Sequence, residues 1–270
     1  MGTEGFLIQP SEAAYASVGK GDLDSNPSLK NEIDVSVILC AYNEGDIIDD
    51  SINLVDRVMM DTGWSYEIVV VDDGSLDDTR RKAVKWIGEK GNGHVKVVGF
   101  GKNMGKGNAV RMGFANSKGN FVVVIDSDLD VDPCLIPHYV EALKNNDIAV
   151  ASKWHPKSRT VVTLKRRVLS FGFNALSRLF TGIKLVDTQT GLKAFRRPVL
   201  ERMSPKLVVK RYAFDLELIG ACNHAGYRII DLPVDVHIES MVGFKDILRM
   251  ALDMFGVAYR LRVLKYYQRD

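Results

Sequence analysis

The stretch "FVVVIDSDLDVDP" (residues 121–133) decides how this chain is read. An apolar, mostly β-branched run ends in Asp126, and Asp128, Asp130 and Asp132 follow at alternate positions. A continuous apolar run of this length suits a central strand buried on both faces. Carboxylates crowded behind it repel one another, and folding by itself has no use for them. A strand that ends this way asks for a cation.

The same theme recurs on either side. "VSVILCAY" (35–42), "EIVVVDD" (67–73), "VKVVGF" (95–100) and "IAVASK" (148–153) are short apolar runs that end in turn residues. Helical patterns separate them, at "DIIDDSINLVDRVM" (46–59), "DDTRRKAVKWIGEK" (77–90), "KGNAVRMGFANS" (106–117) and "LIPHYVEALKNN" (135–146). Alternating strands and helices predict an α/β, Rossmann-like, mostly parallel central sheet with flanking helices. In such sheets ligands bind at the carboxyl ends of the strands, beside a topological switch point. Those ends are "AYNEGD", "VDDGSLDD" and "IDSDLDVDP", so three strands bring acidic or amide groups to one rim.

Oxygen donors without Cys or His nearby favour Mg²⁺ or Mn²⁺ over zinc. Mg²⁺ takes one or two carboxylates and completes its shell with water and phosphate oxygens. Asp126 and Asp128 with a diphosphate form such a set, and Asp130 is a third candidate ligand. For Asp130 and Asp132 the alternative is capping of the helix that starts near Pro133, since Asp before Pro is a common N-cap pattern. "NMGKGNA" (103–109) opens a helix on glycines, where Lys106 and the helix N-terminus could attract a phosphate. It lacks P-loop spacing, and a plain tight turn is the competing reading.

Composition bounds the rest. The chain has 270 residues, 46% hydrophobic and 26% charged, ordinary for a globular protein. Net charge is only +2, but from Lys153 to Arg211 fifteen Lys and Arg face two acids, a local charge of +13. Nucleic acid would be drawn to that segment, yet no nucleic-acid motif accompanies it. "TLKRRVLSFGFNALSRLFTGIK" (163–184) and "FKDILRMALDMFGVAYRLRVLKYYQRD" (244–270) mix basic and apolar residues as interfacial helices do, and no run is long enough to span a bilayer. For the C-terminal stretch, a helix that closes the core is the alternative. Three scattered cysteines suit a reducing compartment. The expectation is a protein held peripherally on the cytoplasmic face of a membrane, not secreted. Residues 1–33 read as a flexible tail, 34–240 as the main domain and 241–270 as an amphipathic helical extension.

"AYNE" (41–44), "VDDGS" (71–75), "NMGKGNAVRMG" (103–113) and "DSD" (126–128) together resemble glycosyltransferase family 2, with its GT-A fold. "VDTQTGLKAFRR" (186–197), "KRYAFDLEL" (210–218) and "DLPVDVHIESMVGFK" (231–245) are similar to the polyprenyl-phosphate sugar synthases, nearest the dolichyl-phosphate glucosyltransferase branch. The resemblance implies an inverting hexosyl transfer from a nucleotide sugar, UDP-glucose, to a polyprenyl or dolichyl phosphate. A GDP-mannose-dependent relative is the alternative, and a non-catalytic nucleotide-sugar-binding module the more distant one. It implies that Glu44 and Asp73 contact the nucleoside and that Asp126 and Asp128 hold metal and diphosphate, beside Lys106, which the Gly-rich turn offers to the nucleotide sugar. It further implies that Asp187 and Gln189 face the sugar, with Lys193 at a diphosphate or acceptor oxygen. Lys165, Arg166, Arg167 and Arg211 are the candidates for the acceptor phosphate. The chain departs from the family pattern in Ala41 for Pro, in Lys153 for Arg and in Phe244 for Ser. An acceptor already ionised at neutral pH needs little base help, which fits the absence of His from these motifs.

Overall fold

Val35–Ala41 forms β1, and its odd and even residues divide between two cores. Val35, Val37 and Leu39 face one side and Ile38 the other, the period-two alternation of a strand covered on both faces. Each such side chain, removed wholly from water, contributes roughly 1.5–3 kcal/mol. The computed structural model describes residues 32–90, 93–161, 172, 177–178, 182, 187–211, 213–237 and 244–268.

β1 lies between β2 (Tyr66–Asp72) and β4 (Phe121–Asp126), parallel to both. β3 (Val95–Gly99) continues the sheet beyond β2. The chain therefore leaves β1 in one direction and returns on its other side at β4, which makes the β1–β4 crevice the switch point. Register fixes the rim: Cys40 stands level with Val71 on one side and Asp126 on the other, and Ala41 level with Asp72. Helices α1 (Ile48–Thr62), α2 (Thr79–Lys90) and α4 (Ile136–Ala142) cover one face, and α3 (Lys106–Ala115) the other. The predicted strands and helices are observed within a few residues of their expected ends. Asp132 caps as expected: its carboxylate accepts from the Cys134 N–H at 2.9 Å, with Pro133 next in the chain.

Beyond β4 the sheet continues in an order the sequence did not announce. β7 (Lys193–Arg196) inserts antiparallel between β4 and β5 (Ile148–Ser152), and β8 (Ile229–Pro233) pairs parallel with β5. β6 (Arg159–Val161) and β9 (Asp235–His237) make a small separate parallel pair. α5 (Arg197–Met203) follows β7 directly, and α6 (Phe214–His224) packs with α3 on the second face.

The C-terminal stretch forms α7 (Phe244–Arg262), which has two characters. Met254, Val257, Ala258 and Leu261 are buried, while Leu252, Phe255, Tyr259 and Val263 stand out in solvent. The inner face is pinned to α6 by Glu217, whose carboxylate accepts from Arg260 at 2.9 Å and from the Tyr267 hydroxyl. The helix thus closes the core and presents an apolar stripe outward. Among the described residues, no helix is long and apolar enough to cross a membrane.

Several cations of the +13 segment are occupied internally. Arg196 donates to the carbonyls of Leu143, Lys144 and Asn146, and Arg197 to Gly119 O and Ser117 Oγ while lying over the Phe114 ring at 5.0 Å. Arg196 and Arg197 keep their charge, but spend these N–H donors inside the fold.

Candidate active site

The loops after β1 and β2 are laced together before any ligand is considered. The Asn43 N–H donates to Ser75 Oγ at 2.9 Å, Glu44 N–H to Thr79 Oγ1 at 2.8 Å and Gly45 N–H to Asp77 Oδ2 at 2.9 Å. Asn43 adopts φ 57° and accepts from the Leu76 N–H through its side chain, so its own amide offsets the left-handed backbone. The polar letters of "AYNE" and "DGSLDDT" are therefore largely a loop clamp.

Asp73 joins the third element. Its two carboxylate oxygens accept the N–H groups of Met104 and Gly105, both at 2.8 Å. Gly105, at φ 91°, lies so near Lys210 O that a side chain there would meet the carbonyl at 2.4 Å. The Gly107 N–H also donates to Lys210 O. The start of α3 thus spends these N–H groups on protein acceptors, which leaves the Lys106 ammonium as the charge it brings to the cleft.

These loops and the end of β4 enclose an open cleft of about 730 Å³, solvent mouth included. Glu44, Asp73, Lys106, Asp126, Asp128 and Arg211 all line it. Charge is crowded on its acidic side. Burial, then the charges of Asp128, Asp77, Asp126 and Asp130, push Glu44 up to about 7. Asp128 is exposed at the mouth, yet desolvation against the cleft wall and then the Asp126 charge push its carboxyl up to about 6. Lys106 Nζ lies 2.6 Å from Asp126 Oδ2. Burial works against its charge, but Asp126 and Asp215 outweigh this and raise its pKa.

The residues present fit a hard divalent cation. Two carboxylates stand at the cleft without thiol or imidazole beside them, and Ser127 Oγ between them is buried with no hydrogen-bond partner among the described residues. Among those residues no three acidic, His or Cys side chains converge as a metal cage. Two protein ligands with substrate and water completing the shell is the Mg²⁺ habit. Asp130, counted as a third ligand from sequence, is not among the cleft-lining residues. Leu129 takes φ 58°, and the Asp130 N–H folds back onto Asp128 Oδ1 at 3.0 Å. The Asp128 carboxylate thereby closes the turn that carries Asp130.

The loop 187–191 stands directly behind Asp126. Asp187 is buried and organises the loop, accepting from the Gln189 N–H, the Thr190 hydroxyl at 2.7 Å and the Lys153 N–H. Lys153 Nζ lies 3.5 Å from the same carboxylate. Lys193 is 3% exposed and donates to Thr190 O at 2.7 Å. Neither Asp187 nor Lys193 nor Gln189 lines the cleft as it stands. Arg211 lies beside Asp73, whose carboxyl it helps to hold charged against the effect of burial. That places it at the Asp73 end of the cleft. Lys165, Arg166 and Arg167 lie outside the described residues.

Asp215, in the first turn of α6, was missed from sequence. It is 6% exposed and reaches both Lys193, at 3.0 Å, and Lys106, at 3.8 Å. A signal existed: an Asp inside the apolar run "YAFDLEL" is rarely buried unless paired.

Against known proteins, the model of the family "Glycosyl transferase family 2" matches residues 36–204. A human dolichyl-phosphate beta-glucosyltransferase is 30% identical over 96% of this chain and 85% of its own length. The Dictyostelium discoideum protein of the same name is 28% identical over 95% of this chain and 85% of its own. Among solved structures, glucosyl-3-phosphoglycerate synthase from Mycobacterium tuberculosis, with Mn²⁺, UDP-glucose and phosphoglyceric acid, superposes with TM-score 0.63. It is 20% identical, with 84% of this chain and 79% of that one covered, a likeness of fold.

Proposed function

The chain belongs to glycosyl transferase family 2, and from that premise we propose that it moves glucose from UDP-glucose to a dolichyl or related polyprenyl phosphate, giving a β-linked lipid-phosphate sugar. One observation carries the reading: the acidic ends of β1, β2 and β4 meet Lys106 in a single cleft at the sheet's switch point. The names of its relatives along nearly the whole chain supply the sugar and the acceptor class.

The chemistry follows from the charges. An acceptor phosphate oxygen attacks the anomeric carbon opposite the diphosphate, the new C–O bond forms as the old one breaks, and configuration inverts. A phosphate monoester is already ionised near neutrality, its second pKa being about 6, so no proton has to be removed. Asp126 and Asp128 would hold Mg²⁺ or Mn²⁺, which supplies Lewis-acid stabilisation of the departing diphosphate. Lys106 adds a second positive charge there. Glu44 and Asp73 shape the nucleoside end, and Arg211 closes it. The loop 187–191, locked by Asp187 and Lys193, bounds the sugar side next to Asp126. Its order depends on Asp187 and Lys193 as scaffold, with Gln189 carried at its centre.

The acceptor would arrive from a membrane. The outward stripe of Leu252, Phe255 and Tyr259 on α7, continued by Val263 just past its end, with Arg262 and Lys265 exposed beside it, suits peripheral docking at the cytoplasmic face. The deciding experiment is a donor panel with polyprenyl phosphate and Mg²⁺ or Mn²⁺, reading lipid-linked radioactivity. UDP-glucose is expected to label the lipid. Labelling from GDP-mannose instead would move the donor assignment, and labelling of free polyprenol as well as of the phosphate would end the acceptor assignment.

A further inference from the structure

Four side chains of alternating charge run inward from the cleft. Asp126 Oδ2 holds Lys106 Nζ at 2.6 Å, Lys106 lies 3.8 Å from Asp215 Oδ2, and Asp215 Oδ1 holds Lys193 at 3.0 Å. The outer pair is accessible, with side chains 25% and 29% exposed, while Asp215 and Lys193 are 8% and 3% exposed. Lys106 is thus already bonded to one carboxylate and about an ångström of movement from bonding a second. The carboxylate it now occupies is one of the two offered to a divalent cation.

We propose that Lys106 is a resident counter-ion that occupies Asp126 in the empty enzyme and is handed to Asp215 when metal loads. Asp215 is then a positioning residue, acting through Lys106 rather than on substrate. This rests on the reading of Asp126 and Asp128 as the metal pair. The physical reason for such a device is charge balance. Asp126 beside Asp128 repel each other when nothing is bound, and Lys106 offsets that. A metal neutralises both, after which Lys106 on Asp126 becomes repulsive to the incoming cation. Lys106, its side chain three-quarters covered, is costly to leave without an anion, because a charge largely out of water needs a partner. Asp215 supplies the anion. Its own charge is secured by Lys193, whose other bond holds the 187–191 loop through Thr190 O. The device also ties the loop to the loaded state, since both share Asp215.

Mn²⁺ titrations followed by electron paramagnetic resonance, with and without UDP, test this on the purified full chain. Lys106→Met removes the competitor and is expected to bind Mn²⁺ about tenfold more tightly than wild type when no nucleotide is present, the order of one charge-assisted hydrogen bond. Equal or weaker binding by Lys106→Met would overturn the proposal. Asp215→Asn is expected to weaken Mn²⁺ binding several-fold in the wild-type background and to have little effect in the Lys106→Met background. The same loss in both backgrounds would mean that Asp215 serves structure alone, and the hand-over would be wrong. Should Asp215→Asn fail to fold, the Lys106→Met arm decides by itself. A wild-type chain that binds no Mn²⁺ even with UDP would instead defeat the metal reading underneath.

Discussion

Gly191 offers the sharpest test of how the site is held together. A methyl group there would stand 2.7 Å from Asp126 Oδ2. Ordinary contact needs the gap to open by roughly 0.7 Å. Asp126 does not retreat freely, because the same oxygen holds Lys106 at 2.6 Å. The loop does not retreat freely either, because Asp187 and Lys193 brace it on both flanks. Gly191→Ala therefore displaces the Asp126 carboxylate, the proposed metal ligand, by a fraction of an ångström without opening a core. Since a misplacement of about 1 Å costs on the order of 100-fold in rate, kcat should fall about 10- to 100-fold. Stability should hardly move. Gly191 is not among the positive-φ glycines, so alanine suits its backbone, and the entropy lost by the unfolded chain, worth roughly 0.4–1 kcal/mol, offsets the local strain. The assay is steady-state glucosyl transfer to polyprenyl phosphate beside a thermal melt. A variant with activity within twofold of wild type would refute the idea that the loop fixes Asp126. A variant that loses activity only in proportion to a fallen Tm would refute it equally.

Asp128→Ala should abolish transfer and leave the melt intact or slightly improved, and EDTA should silence the wild type until Mg²⁺ or Mn²⁺ is restored; full activity in EDTA would remove the metal from the scheme. Glu67 reports on acid stability. Burial pushes its carboxyl up, but Lys96, Ser36 Oγ and the Lys118 N–H together hold it below the usual range. Its contribution is therefore present above the ordinary glutamate range and is lost as pH falls through its lowered folded value. Urea melts of wild type and Glu67→Gln should differ at pH 7 and converge on acidification, and a gap that widens in acid would contradict this. Leu252→Asp with Val263→Asp should weaken binding to anionic vesicles at low salt without shifting Tm, because both side chains face solvent, 64% and 65% exposed. Unchanged sedimentation with vesicles would place the membrane contact elsewhere.

What the sequence determined by itself was the part written in local pattern. The buried strands β1, β2, β4 and β5 announce themselves as mostly apolar, β-branched runs, because a strand covered on both faces is apolar at both parities along most of its length. Their acidic ends announce the rim, because carboxylates crowded beyond a buried strand cost energy unless something binds them. Asp126 and Asp128 were legible for that reason, and so was the Asp132 cap beside Pro133. The tertiary structure decided what depends on partners distant in the chain. "KAFR" has no length or alternation to mark it as a strand, and its antiparallel place between β4 and β5 comes from pairing with Phe121–Val124 and Ile148–Val150. Asp73 reads as a cleft residue, but that its two oxygens also accept backbone N–H groups more than thirty residues away, at Met104 and Gly105, shows only in the fold. Lys193 reads as a reaching cation, yet burial turns it inward to Asp215 and Thr190. A charged side chain's role is set by which opposite charge folding brings within about 4 Å, and that distance is not written in the order of residues.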